Sequence, residues 1–140
     1  MDQVLPYAEL VIGNESEAEA WAKAAGVNAT DLETIAQKIA DSPCELSKKR
    51  TVLITHGAKA TIRAVQGESQ TFSHETPKIN PADIVDTNGA GDAFAGGVIA
   101  GLISGKSMEE SIDVGHRLGG MCIGCLLYTS PSTRDATLTR

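Results

Sequence analysis

The stretch Asp86-Thr87-Asn88-Gly89-Ala90-Gly91-Asp92-Ala93-Phe94-Ala95-Gly96-Gly97 decides how this chain reads. Gly89 and Gly91 flank one small residue and stand at the start of a helix-like run, so backbone N–H groups there can converge on an anion. Asp92 closes the turn. A carboxylate beside such a turn is a poor phosphate ligand, because like charges repel. It suits a base that takes a proton from a substrate hydroxyl while the amides hold a phosphoryl group. An acid in a first helical turn also meets the helix dipole favourably, so a purely structural reading stands beside the catalytic one.

Working outward, the apolar run Leu10-Val11-Ile12, ending at Gly13, reads as a buried strand. A helix is expected over 16–25, stopping near Gly26. Asp31 opens a second helix with Leu32, Ile35, Ala36 and Ile39 on one face, which ends before Pro43. Residues 51–55 form the strongest strand pattern. Gly57 then allows a turn into 60–66, and Gly67-Glu68 turns back toward 70–73, which reads as a hairpin. Residues 79–85 are a further extended stretch. Helices are expected over 90–104 and over 107–123, the second opened by a Ser107–Glu110 capping pattern. Strands alternating with helices predict a layered α/β sheet. Ligands in such sheets lie beyond the carboxyl ends of the strands, so the turns at Asn14 and Gly57 and the loop before Asp92 can face one crevice.

Two shorter motifs precede that loop. In Asn14-Glu15-Ser16-Glu17, the Asn-x-x-Glu spacing is a capping box that satisfies free helix N–H groups. The same oxygens suit Mg²⁺, which prefers oxygen ligands and keeps several waters. Thr55-His56-Gly57 follows the strongest strand and, by its residues alone, reads as a strand-to-hairpin turn that needs glycine for its geometry. His56 is expected to be exposed, and Trp21 and Phe94 to be core residues.

The 140 residues suffice for a domain with a real core, and a formal charge of −6 argues against a general nucleic-acid or membrane-surface binder. Three cysteines fit a reducing compartment. Cys122 and Cys125 have C-x-x-C spacing, but no second Cys/His pair completes a zinc site, so they read as incidental thiols. No run is long and apolar enough to span a membrane, and the beginning lacks a signal-peptide pattern. The cytosol is the expected location.

The run from Asp86 to Phe94 closely resembles the D-T-x-G-A-G-D-x-F signature of the ribokinase-like (pfkB) carbohydrate kinase family. The P-loop and protein-kinase signatures are absent from the sequence. Asn14–Glu17 resembles the family's N-x-x-E motif and Thr55-His56-Gly57 its T-x-G segment, all in the family's order. The resemblance implies a ribokinase-like layered α/β sandwich, here as a partial, C-terminal portion over residues 1–125. It implies ATP as phosphoryl donor with Mg²⁺, Asp92 as the base, and the Gly89, Ala90 and Gly91 amides around the transferring group. Asn14, Thr55, Gly57, Asp86, Thr87, Asn88 and His116 would then contact the nucleotide, and Glu17 would stand near the metal. Asn88 at the variable position resembles the family's adenosine-kinase branch, which implies adenosine as acceptor. Another sugar or nucleoside kinase, and a nucleotide-binding fragment without activity, stay open as alternatives. The implied enzyme works on small molecules, as a monomer at full length, with no nucleic-acid or membrane partner. Residues 126–140 break the pattern and read as a non-native or disordered tail. The chain as a whole reads as a piece of a longer gene that lacks the acceptor-binding half.

Overall fold

The computed structural model describes residues 4–57, 59–76 and 89–128, with the side chains of 121–128 outside that description. It falls into two compact units, Met1–Thr76 and Pro77–Arg140.

The first unit is a mixed sheet with two helices. After a short 3-10 turn at Leu5–Tyr7 come β1 (Leu10–Asn14), α1 (Glu15–Ala24), α2 (Leu32–Ala40), β2 (Thr51–His56), β3 (Lys59–Val65) and β4 (Phe72–His74). The strand order is β1-β2-β3-β4. β1 runs parallel to β2 with Leu10 opposite Thr51 and Asn14 opposite Thr55. β2–β3 and β3–β4 are antiparallel. The parallel pair exists because α1 and α2 carry the chain back between its strands, whereas tight turns make the two hairpins. Gly57 sits at φ +57° in the β2–β3 turn, a left-handed conformation that glycine adopts without steric cost.

The expected face of α2 is the buried one: Leu32, Ile35, Ala36 and Ile39 all lie in the core, with Val52, Ile54, Ile62 and Ala64 of the sheet. Asp31 caps α2 by accepting from the Thr34 amide at 3.0 Å and from its hydroxyl at 2.6 Å. Those bonds, the hydroxyl's first, hold the Asp31 carboxyl below the ordinary carboxylate range. Trp21 packs, partly buried, against the same core. The closing strand of the hairpin is shorter and later than expected, at Phe72–His74.

One side chain was not anticipated in this role. Arg50 is wholly buried. Its guanidinium donates to the carbonyls of Leu5, Ala8, Ile39, Ala40, Ser42 and Pro43 at 2.5–3.3 Å. Ile39 and Ala40 end α2, where the helix dipole is negative and leaves carbonyls without intrahelical donors. The rigid fork of donors suits arginine where lysine would not reach.

The second unit contains α3 (Ala90–Ile103) and α4 (Met108–Tyr128). Ser107 and Glu110 form the expected capping box: each backbone amide donates to the other's side chain, at 3.0 and 3.2 Å. Hydrogen bonding by the Ser107 amide, and second by its side chain, holds the Glu110 carboxyl below its usual range. The helices approach closely at glycine. A Cβ on Gly97 would lie 2.7 Å from the Gly115 Cα, and one on Gly115 would lie 2.8 Å from the Phe94 carbonyl. Phe94, Val98 and Ile112 fill the rest of the contact region and are buried, Phe94 as expected. α4 continues to Tyr128, beyond the expected end near residue 123. Leucines at 126 and 127 favour helix, and the first proline after them is Pro131. The extended stretch 79–85 and residues 129–140 lie outside the described residues.

Candidate active site

The carboxyl ends of β1 and β2 form one corner of the first unit. Asn14 ends β1 and caps α1. Its Oδ1 accepts from the Glu17 amide at 2.8 Å, and Glu17 Oε1 accepts from the Asn14 amide at 2.9 Å. The register places Thr55 opposite Asn14, and the Thr55 hydroxyl donates to the Gly13 carbonyl at 3.4 Å. Gly57 follows, exposed. Asn14, Glu17, Thr55 and Gly57, which come from two distant stretches of sequence, are thus brought together. Parallel pairing achieves this, because it sets the ends of β1 and β2 side by side at the amino end of α1.

The capping reading of Asn14–Glu17 is therefore real, and it leaves room for the other. One Glu17 carboxylate oxygen is engaged by the Asn14 amide; the other is available to a hydrated cation. Among the described residues no cluster of three or more His, Cys, Asp or Glu side chains is placed to hold a metal. Glu17 could therefore offer one carboxylate oxygen to a hydrated cation, without a closed set of protein ligands around it.

His56 departs from expectation. It is half-buried, and its Nε2 is paired with Glu15 Oε2. In the sequence it is only a histidine at the end of the strongest strand, which says nothing of a partner. Only the parallel register brings the end of β2 to the first residue of α1.

In the second unit, Gly89 is the N-cap of α3 and offers no side-chain cap. The first turn consists of Ala90, Gly91 and Asp92, whose amides have no acceptor within the helix. Gly91 and Asp92 are exposed. Among the described residues, a Cβ built on Gly91 meets nothing within 4 Å. The open side is where an anion can approach the amides, and Asp92 stands on the same turn. On the other side, α4 backs the turn: a Cβ on Gly119 would lie 3.3 Å from the Ala90 carbonyl. His116 is buried on α4, its ring centroid 5.3 Å from that of Phe94 and tilted by 33°. Packing covers the histidine's face toward Phe94, two residues beyond Asp92. Asp86, Thr87 and Asn88, expected to contact nucleotide, lie outside the described residues, as do the side chains of Cys122 and Cys125.

No helix among the described residues is long and apolar enough to cross a membrane.

Comparison with known proteins agrees with this geometry. The pfkB family carbohydrate kinase profile matches residues 1–134. The chain is 44% identical over 128 residues to the adenosine kinase of Schizophyllum commune, covering 88% of the chain and 37% of that enzyme. It is 48% identical over 124 residues to the adenosine kinase of Saccharomyces cerevisiae, covering 86% and 35%. The crystal structure of Anopheles gambiae adenosine kinase, in complex with P1,P4-di(adenosine-5) tetraphosphate, superposes with a TM-score of 0.85. Identity there is 34%, over 93% of this chain and 39% of that one. The chain thus spans a little over a third of the length of these relatives. Its fold is a partial ribokinase-like α/β domain, and the chain belongs to the pfkB family of carbohydrate kinases.

Proposed function

We propose that this chain is the phosphoryl-transfer portion of an adenosine kinase, which moves the γ-phosphoryl group of ATP to the 5′-hydroxyl of adenosine and yields AMP. The observation that carries the reading is the start of α3: no side-chain cap on its first amides, no described residue within 4 Å of a Cβ built on Gly91, and an exposed Asp92 on the same turn. The similarity to adenosine kinases supports the choice of acceptor.

The chemistry follows from charge. A ribose hydroxyl is a weak nucleophile until its proton is removed, and Asp92 accepts that proton as the oxygen attacks phosphorus. The transferring phosphoryl group spreads negative charge over its equatorial oxygens, and the Gly89, Ala90 and Gly91 amides are fixed donors toward it. Fixed donors help the transition state more than the ground state because they need no reorganisation as the charge develops. By the family resemblance, Asn14, Thr55 and Gly57 are assigned to the ATP phosphates, and Asp86, Thr87, Asn88 and His116 to further nucleotide contacts. Mg²⁺ bound with ATP would neutralise phosphate charge, and Glu17 would orient its water. The enzyme works in the cytoplasm as a monomer.

Asp92→Asn tests the assignment. In the full-length enzyme, turnover should fall about 10²–10⁴-fold while ATP binding by calorimetry changes little, because the change removes a base and keeps its shape. A variant that keeps more than about a tenth of wild-type turnover contradicts the role. The 140-residue chain alone should release no adenosine-dependent ADP, since transfer requires two substrates held in line.

A further inference from the structure

His56 and Glu15 join the two halves of the nucleotide corner. His56 lies between Thr55 and Gly57 at the end of β2, and Glu15 is the first residue of α1, next to the Asn14 cap. Their side chains are 28% and 42% exposed. A half-exposed pair of this kind adds little to folding stability. Its effect lies in where it holds the chain. Glu15 and Glu17 are both acids in the first turn of α1. Glu17 is held by the Asn14 amide. Glu15 has His56 as its partner. Released, its carboxylate would be free to swing over a corner that receives a polyphosphate, where a like charge at short range weakens binding.

We propose that His56 is a positioning residue for the nucleotide: by donating from Nε2 to Glu15, it draws that carboxylate away from the phosphates and fixes Thr55–Gly57 against the amino end of α1. The inference rests on the assignment of Asn14, Glu17, Thr55 and Gly57 to Mg·ATP.

The test is steady-state kinetics of the full-length enzyme with ATP varied, alongside thermal unfolding. His56→Ala should raise the KM for ATP about fivefold, with kcat at saturating ATP within about twofold and the unfolding midpoint nearly unmoved. His56→Gln keeps an amide donor and should restore most of the affinity. Glu15→Gln in the His56→Ala background removes the freed charge and should restore much of it as well. A His56→Ala variant with unchanged KM overturns the proposal, as does failure of both rescues or a loss of kcat and unfolding midpoint together. Glu17→Gln and Thr55→Ala are the reference arms. If neither shifts the Mg²⁺ or ATP dependence, the nucleotide assignment of the corner falls, and this inference with it. If they shift it and His56→Ala does not, only the role of His56 falls.

Discussion

In the sheet unit, Asn14 and Glu17 spend side-chain oxygens on each other's backbone amides, Thr55 donates to Gly13, and His56 holds Glu15. In the helix unit, the first turn of α3 has no side-chain cap, and among the described residues nothing hydrogen-bonds the Asp92 carboxylate. The two regions were picked out by similar short motifs, yet their polar groups are used differently. A capped helix start is built by its own sequence and can lend a spare oxygen to a ligand. An uncapped one forgoes the cap, commonly worth about 1 kcal/mol, and gains by binding an anion from outside. On the proposed function, the engaged groups would orient and the disengaged Asp92 would react.

The cores differ as well. The sheet unit closes around side chains and the buried guanidinium of Arg50. The helix pair closes around backbone, at Gly97 and Gly115. The largest stability effect should come from Arg50→Met, which leaves several buried carbonyls without donors. The cost should be about 3 kcal/mol or more in urea unfolding, with hydrogen-exchange protection lost in residues 5–76 and kept in α3 and α4. A loss below about 1 kcal/mol would mean that water replaces the guanidinium, and the contrast between the cores would weaken.

Gly115→Ala should cost less, about 1–3 kcal/mol from overpacking, partly offset by the better helix propensity of alanine. Its exchange signature should be the mirror image, confined to α3 and α4. Protection lost equally in both units would contradict a local effect at the α3–α4 contact.

The smallest effect belongs to Asp31→Ala, which removes the α2 cap. Because the Asp31 carboxyl is held below its ordinary value, its contribution is full above that value and is lost as pH falls through the lowered one. Wild type and variant should thus differ slightly in unfolding midpoint at neutral pH and converge in strong acid. A difference that persists in acid would show that the cap acts through shape rather than charge.

Much of this was legible beforehand. The apolar spacing of α2, the run of β2 and the glycine of the following turn are local signals, and each element formed within a few residues of its expected bounds. The family signature was legible for the same reason: its function demands consecutive residues. What could not be read depended on register or on burial. Lys48, Lys49 and Arg50 look alike in sequence, and only the position of the α2 carbonyls selects Arg50 for the interior. Likewise, the Glu15–His56 pair spans two motifs, and it is visible only once β1 and β2 are set parallel. α4 runs past its expected end because a loss of helical periodicity does not itself stop a helix, and the first proline after Leu126 is Pro131.

The central claim is that this segment serves an adenosine kinase. The most direct measurement is ADP release by the full-length protein with ATP and Mg²⁺, in the presence of adenosine, of ribose or of neither, with the phosphorylated product identified by mass. Adenosine-dependent release with AMP as product, and little release with ribose, is the expected result. Release with ribose and none with adenosine would contradict it.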